Sequence, residues 1–302
     1  MLNNISVLLF ITLLGYIFSF FDKLKNETER SLNKYLYYIA LPSLIITKTI
    51  NINIKTLNYN FLLLNIIPIL IIQLFIFLLY KINLFSSLFA RTLIIIATLG
   101  NTVYLGFPVV SLIVGEEYIS FAALSSSIQN ITVFIFGIII INIIEESESI
   151  NAIKKILKNP LIISSFIPII LISLSIKIPS FIIEPLKEIG KTTFGVSLFV
   201  IGMSMKGKNL KGESFFNLFI SFFLKMILLP AISILIVFFF DMQEKSDLVS
   251  VINYTMPNAV ACYAVTYEMN LNYSFTSKSI FFTTIIYFIL FYFYNNMLFK
   301  IF

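Results

Sequence analysis

The feature that most limits the fold is a succession of long apolar runs, such as FLLLNIIPILIIQLFIFLLY from Phe61 and FFNLFISFFLKMILLPAISILIVFFF from Phe215. A helix of about 20 apolar residues crosses the roughly 30 Å hydrocarbon core of a bilayer. On that rule ten spans are expected, at about 5–21, 35–50, 60–80, 88–115, 119–143, 159–176, 180–206, 214–240, 247–268 and 274–299. Composition agrees: 59% of the residues are hydrophobic and 12% charged, with a mean hydropathy of +0.97. A soluble globule carries about twice that charged fraction. The reading is an all-α integral membrane protein.

Several chemistries are excluded early. Histidine is absent and Cys262 is the single cysteine. An imidazole relay, an intrachain disulfide and a clustered metal site are therefore not expected. The net charge of +6 comes from Lys and Arg in short loops, as retention of basic loops on the cytoplasmic side of a membrane requires. It does not call for nucleic acid. The N-terminal run ISVLLFITLLGYIFSFF has no basic residue before it and no small-residue cleavage site after it, so it reads as a retained first helix rather than a signal peptide.

Most of the 21 Lys and Arg follow odd-numbered spans. That places those loops in the cytoplasm and both termini outside. The chain divides into a first five-helix half (1–145), a cytoplasmic connecting loop (146–158) and a second half (159–302). The halves echo each other. LGFPVV around Pro108 in the fourth span matches YTMPNAV around Pro257 in the ninth; ALPSLII from Ala40 matches GVSLFVIG from Gly195; Pro68 in the third matches Pro230 in the eighth. With five helices per half, the second copy is inverted. Paired interrupted helices in inverted halves point to the binding site of a secondary transporter.

The interruptions have a chemical reason. Proline removes a backbone donor and clashes with the preceding turn, so carbonyls near residues 104 and 253 lose partners. Such groups are tolerated at membrane depth only where protein or a water-filled cavity covers them. Two breaks that cross would cover each other and bring helix N-termini and free carbonyls to a common space. There the amides of Asn101 and Asn258 could hold a carboxylate. The candidate substrate-binding residues are Asn101, Thr102, Gly106, Pro108, Thr255, Pro257 and Asn258. Structural alternatives stand beside this: Pro as a kink, Asn101 as interhelical glue, Thr102 and Thr255 bonded to backbone. Lys225, within FFLKMILLP, is the charge set well inside a span. It serves anion attraction or coupling, or else snorkels to the interface. Glu116, Glu117 and Glu268 read as solvated span ends.

These residues resemble the auxin efflux carrier family of permeases, which includes malate-type permeases and is related to the bile acid:sodium symporters. Asn101-Thr102-Val103-Tyr104-Leu105-Gly106-Phe107-Pro108, followed by Gly115-Glu116, is similar to the family's Asn-Thr-x-x-x-Gly-x-Pro fourth-helix element. Ala40-Leu41-Pro42, the stretch from Gly195 to Gly202, Met256-Pro257 and the lysine five residues before Pro230 resemble further family motifs. The resemblance implies ten helices in two inverted five-helix repeats, with crossing interrupted helices 4 and 9. It implies a scaffold of helices 1, 2, 6 and 7, through which a homodimer forms in relatives. It also implies small organic anions, usually carboxylates, as substrates carried by elevator-like alternating access. In that scheme Asn101 contacts the carboxylate, and Pro108 and Pro257 form the crossing.

The expectation is a multi-pass cell-membrane carrier that performs no chemistry on its substrate and holds no cofactor, with H+ or Na+ coupling left open. A phosphate-binding Gly-x-x-x-x-Gly-Lys-Ser/Thr loop is absent, so ATP is not its direct driver. The rivals are a membrane-embedded enzyme, for which Lys225 and scattered serines are thin support, and a channel or transporter-like sensor.

Overall fold

A computed structural model describes residues 2–50, 59–145, 160–174, 176–205 and 214–301. The described residues are helical throughout, apart from turns and one isolated bridge. In chain order the helices are α1 (Leu2–Phe18), α2 (Asp22–Tyr35), α3 (Leu41–Thr49), α4 (Tyr59–Lys81), α5 (Ser87–Ile96), α6 (Phe107–Ile113), α7 (Ile119–Glu145) and α8 (Pro160–Ser173). There follow α9 (Ser180–Lys191), α10 (Thr193–Met205), α11 (Phe215–Phe222), α12 (Leu229–Phe239), α13 (Lys245–Thr255), α14 (Ala261–Glu268) and α15 (Tyr273–Ile301). Among the described residues, four continuous stretches are long and apolar enough to cross a membrane: Tyr59–Lys81, Glu116–Glu145, Phe215–Phe239 and Tyr273–Phe291. Shorter apolar helices accompany them. Only 39–50% of each apolar window is covered by the rest of the chain. Side chains such as Leu74, Ile139, Phe238 and Ile289 stand exposed, the arrangement of a protein whose surroundings are lipid. The connecting loop 146–158 lies outside the described residues.

Two features depart from the reading of the sequence. Asp22–Tyr35, expected as a basic loop, is a helix. Its Lys, Glu, Arg and Leu residues are good helix formers, and neither Gly nor Pro interrupts them. The second is how proline acts. Pro42, Pro108 and Pro230 each stand at the head of an α-helix. Each is preceded by a π-helical turn: Leu36–Ala40, Thr102–Gly106 and Phe223–Leu228. A missing N–H breaks the α ladder four residues upstream, and the wider turn takes up the slack. Pro68, by contrast, lies within continuous α4, so the match between Pro68 and Pro230 is one of position and not of conformation.

Helix ends are closed by residues suited to the task. Asn83, Asp241 and Asn270 have φ of +59°, +49° and +53°. Each is followed by a backbone bond reaching five residues back: Leu84 to Leu79, Met242 to Val237 and Leu271 to Thr266, at 2.8–3.0 Å. These are left-handed helix stops, where Asn and Asp are the tolerated non-glycine residues. Gly115, at φ +133°, ends the stretch after α6 in a conformation that a side chain would strain.

The chain forms two compact units, neither coincident with a sequence half. One comprises Met1–Thr56, Val103–Ser127 and Asn159–Lys208, and so gathers spans one, two, six and seven with the second part of the fourth. Here α1 and α10 pack backbone against backbone. A Cβ on Gly15 would lie 2.0 Å from the Phe199 carbonyl oxygen, and one on Gly202 1.9 Å from that of Thr12. Small residues permit this approach, which supplies dispersion where lipid removes the hydrophobic drive. Helix α3 packs on α8 and α9.

The other unit comprises Leu57–Thr102, Ile128–Lys158 and Asn209–Phe302. Within it α4 packs on α5, α12 and α13, and α15 on α11 and α14. Its interior holds Asn65, Gln73, Lys225, Asn253 and Asn258, each at most 1% exposed. A polar inside and an apolar outside set the stage for the site.

Candidate functional site

Two spans of the second unit are broken, and the breaks pair with each other. The fourth span leaves helix after Ile96 and is irregular over residues 97–101; the ninth ends at Thr255 and is irregular over 256–260. The second break follows from Pro257, because a residue before proline is driven from α to extended backbone. Met256 accordingly has φ −63° and ψ 143°. Gly100 and Asn258 then form an antiparallel bridge. The amide of Asn101 donates to the Pro257 carbonyl at 2.8 Å, and that of Ala259 to the Leu99 carbonyl at 3.0 Å. Each break thus supplies donors that the other lost, as backbone at membrane depth must.

The predicted residues fall into distinct roles. Asn258 is fully buried, and both ends of its side chain are engaged. Its Nδ2 donates to the Ile96 carbonyl, the last of α5, and its Oδ1 accepts from Ser279 Oγ at 3.4 Å. It ties the break together. Asn101 is also buried, but its Nδ2 has no hydrogen-bond partner, and neither has the hydroxyl of Thr102. Unpartnered polar atoms in such a place are costly unless something else completes them. The Thr255 hydroxyl donates to the Ile252 carbonyl at 2.8 Å. Gly106 and Pro108 are buried where the π-turn Thr102–Gly106 meets α6, so the bridge pairs Gly100, and not Pro108, with the ninth span.

The carbonyls released by proline are not left open as the sequence suggested. That of Tyr104, four residues before Pro108, accepts from Ser197 Oγ at 2.8 Å. That of Met226, four before Pro230, accepts from the Tyr294 hydroxyl. That of Asn253, four before Pro257, accepts the Met256 amide at 3.4 Å. Burial without water makes such partners obligatory.

Lys225 lies in the π-turn Phe223–Leu228 and does not snorkel: it is 1% exposed and turned inward. Its Nζ donates to the Tyr254 carbonyl at 3.0 Å. Gly100 makes room for it, because a Cβ there would sit 3.0 Å from Nζ and 3.3 Å from the Asn253 carbonyl oxygen. Among the described residues no carboxylate forms an ion pair with it.

Sequence reasoning missed two supporting sets. One is a stripe on α15: Thr276, Ser279 and Thr283, all fully buried. Thr283 Oγ1 accepts from the Asn258 amide at 3.3 Å, and Ser279 Oγ lies 2.6 Å from Ser221 Oγ. Their spacing of three and four residues is a helical face and was the available signal. The other is an amide network. Asn65 Nδ2 donates to Ser250 Oγ at 3.0 Å, and Gln129 Nε2 to Asn65 Oδ1 at 2.9 Å. The Tyr254 hydroxyl donates to the Leu64 carbonyl at 2.9 Å. Isolated amides inside apolar runs were its signal.

Comparison with known proteins places these motifs. Residues 1–295 match the family described as membrane transport protein. The chain is 27% identical over 292 residues to an uncharacterized transporter of Methanocaldococcus jannaschii, covering 94% of each. It is 25% identical over 288 residues to the lysosomal cholesterol signaling protein of Mus musculus, covering 84% of this chain and 31% of that one.

Proposed function

The chain belongs to the membrane transport protein family, that of the auxin efflux carriers, and from that membership we propose that it is a secondary carrier of small organic anions. The observation that carries the reading is the unpartnered, buried Nδ2 of Asn101 beside two helix breaks that otherwise satisfy one another. A buried amide donor kept free, with the free Thr102 hydroxyl next to it in the chain, suits an acceptor that comes and goes. A carboxylate is such an acceptor. Asn101 and Thr102 would hold it, Thr255, Pro257 and Asn258 would shape the backbone that presents them, and Gly106 and Pro108 would set the start of α6. Lys225 would supply positive charge nearby.

The finer architecture belongs to the same proposal. Ten spans in two inverted five-helix repeats, with both termini extracytoplasmic, account for the echoing proline motifs and the basic loops. The ion pair of Arg91 with Glu145 at 2.7 Å fits that orientation, since Arg91 lies in the first turns of α5 and Glu145 ends α7, both next to loops assigned to the cytoplasm. Elevator-like alternating access is supported by the way spans one, two, six and seven cluster with one another. The unit holding the paired breaks would be the moving part, and the first unit would be a scaffold able to dimerise.

Counterflow in proteoliposomes tests the reading, because it needs no knowledge of the driving ion. Vesicles preloaded with unlabelled mono- and dicarboxylates should transiently accumulate one labelled acid. A folded, inserted protein that accumulates none is not a carboxylate carrier. A second reading, a sensor that binds without flux, is favoured by the likeness to a signaling protein. Saturable ligand binding with no counterflow would select it.

A further inference from the structure

The second unit buries a lysine that no carboxylate of the described residues meets. Taking an ammonium out of water is among the largest penalties in folding unless strong acceptors replace the water. The acceptor here is a main-chain carbonyl. Lys225 Nζ bonds the Tyr254 oxygen at 3.0 Å, next to the end of α13 at Thr255. The C-terminal carbonyls of a helix carry partial negative charge and attract a cation. Gly100, in the facing break, lacks the side chain that would collide with Nζ. Carriers with discontinuous helices coordinate Na+ with this same kind of group, the unwound carbonyls and half-helix C-terminal ends near the midplane. In this chain a covalently attached ammonium already occupies such a carbonyl, that of Tyr254.

We propose that Lys225 is a built-in cation at the paired breaks: its ammonium caps the Tyr254 carbonyl at the C-terminal end of the first half of the broken ninth span, in place of an alkali-metal ion, and the carrier works without one. This rests on the carrier reading above and extends it to coupling. The π-turn is part of the device. It interrupts the α ladder ahead of Pro230 and places Lys225 inward, while the Tyr294 hydroxyl takes up the Met226 carbonyl that Pro230 leaves free. The fixed charge also gives an incoming anion its countercharge, so no co-transported Na+ is required to neutralise it.

The test begins with a readout that needs no transport. Thermal unfolding of the purified full chain is followed in choline chloride and in NaCl at equal ionic strength. The wild-type midpoint should be the same in both. Lys225→Met keeps the length of the side chain and removes its charge; its midpoint should fall in choline chloride and rise saturably with Na+, as ligand binding to the native state demands. A saturable rise of the wild-type midpoint with Na+ would overturn the proposal, since a separate cation site would then exist. A Lys225→Met midpoint indifferent to Na+ would overturn it too, leaving Lys225 a packing residue. If that variant does not fold, wild-type counterflow decides. Replacing Na+ by choline should change the half-saturation for substrate by less than about twofold, and a tenfold or larger loss would refute the built-in cation. Failure of the carrier reading looks different: counterflow would be absent in both salts while the unfolding pattern held.

Discussion

Asn101 and Asn258 carry the same side chain, lie at the same pair of breaks and should respond to truncation in opposite ways. In Asn258→Ala the Ile96 carbonyl loses its Nδ2 donor and Ser279 loses one acceptor. A buried carbonyl left unpaired costs about 1–3 kcal/mol. Adding the second, longer bond brings the loss to roughly 2–4 kcal/mol. At about 2–4 °C per kcal/mol for a chain of this order of size, the unfolding midpoint should fall by about 4–16 °C. In Asn101→Ala no side-chain amide bond is broken, because Nδ2 has no partner. Relief of its uncompensated burial, about 1–3 kcal/mol, offsets the small cavity, so the midpoint should stay within about 3 °C of wild type. Counterflow should nevertheless be lost in Asn101→Ala. The assay is a thermal unfolding series in detergent, run beside proteoliposome uptake on the same preparations. An unfolded Asn101→Ala beside a stable Asn258→Ala would refute the division of labour drawn from the structure. Full transport by a stable Asn101→Ala would remove Asn101 from the substrate site.

The glycines of the first unit offer an internal control. Gly202→Ala would bring a methyl within 1.9 Å of the Thr12 oxygen and should destabilise the protein by about 1–3 kcal/mol through forced separation of α1 and α10. Gly195→Ala meets nothing within 4 Å and should be neutral or slightly stabilising, given glycine's poor helix propensity; thermal unfolding compares the two. Gln129→Leu severs the bond to Asn65 and should cost about 1–3 kcal/mol, while Lys187→Ala, at an exposed pair with Glu184, should be silent. For topology, cysteines replacing Asn83 and Glu145 should label from the cytoplasmic side and those at Glu116 and Asp241 from outside, in a background where buried Cys262 is replaced by serine. Labelling of Glu145 and Glu116 from one side would overturn the orientation.

What the linear chain determined by itself is the class of solvent. Apolar runs at bilayer length leave no choice but helices in lipid, and the described residues are helical with apolar exteriors. It also marked where helices would fail, because the penalty for proline is local: Pro108, Pro230 and Pro257 each disrupt the turn before them. The family followed from the same local signals, since a motif such as Asn-Thr-x-x-x-Gly-x-Pro is written in consecutive residues. The helix Asp22–Tyr35 was legible in propensity but hidden by its charge, which reads equally as a loop.

Tertiary structure decided how each broken end is repaired. Whether a freed carbonyl stays open or takes a partner depends on which distant side chain arrives. Ser197 reaches Tyr104, Tyr294 reaches Met226, and Asn258 reaches Ile96. None of these pairs is close in sequence. That is why Asn258, a candidate beside Asn101 in the sequence, became the tie of the break while Asn101 kept a free donor. It is also why Lys225 turned inward. Only the meeting of the end of α13 with a glycine in the facing break offers an ammonium both an acceptor and room, and that meeting is made by the fold.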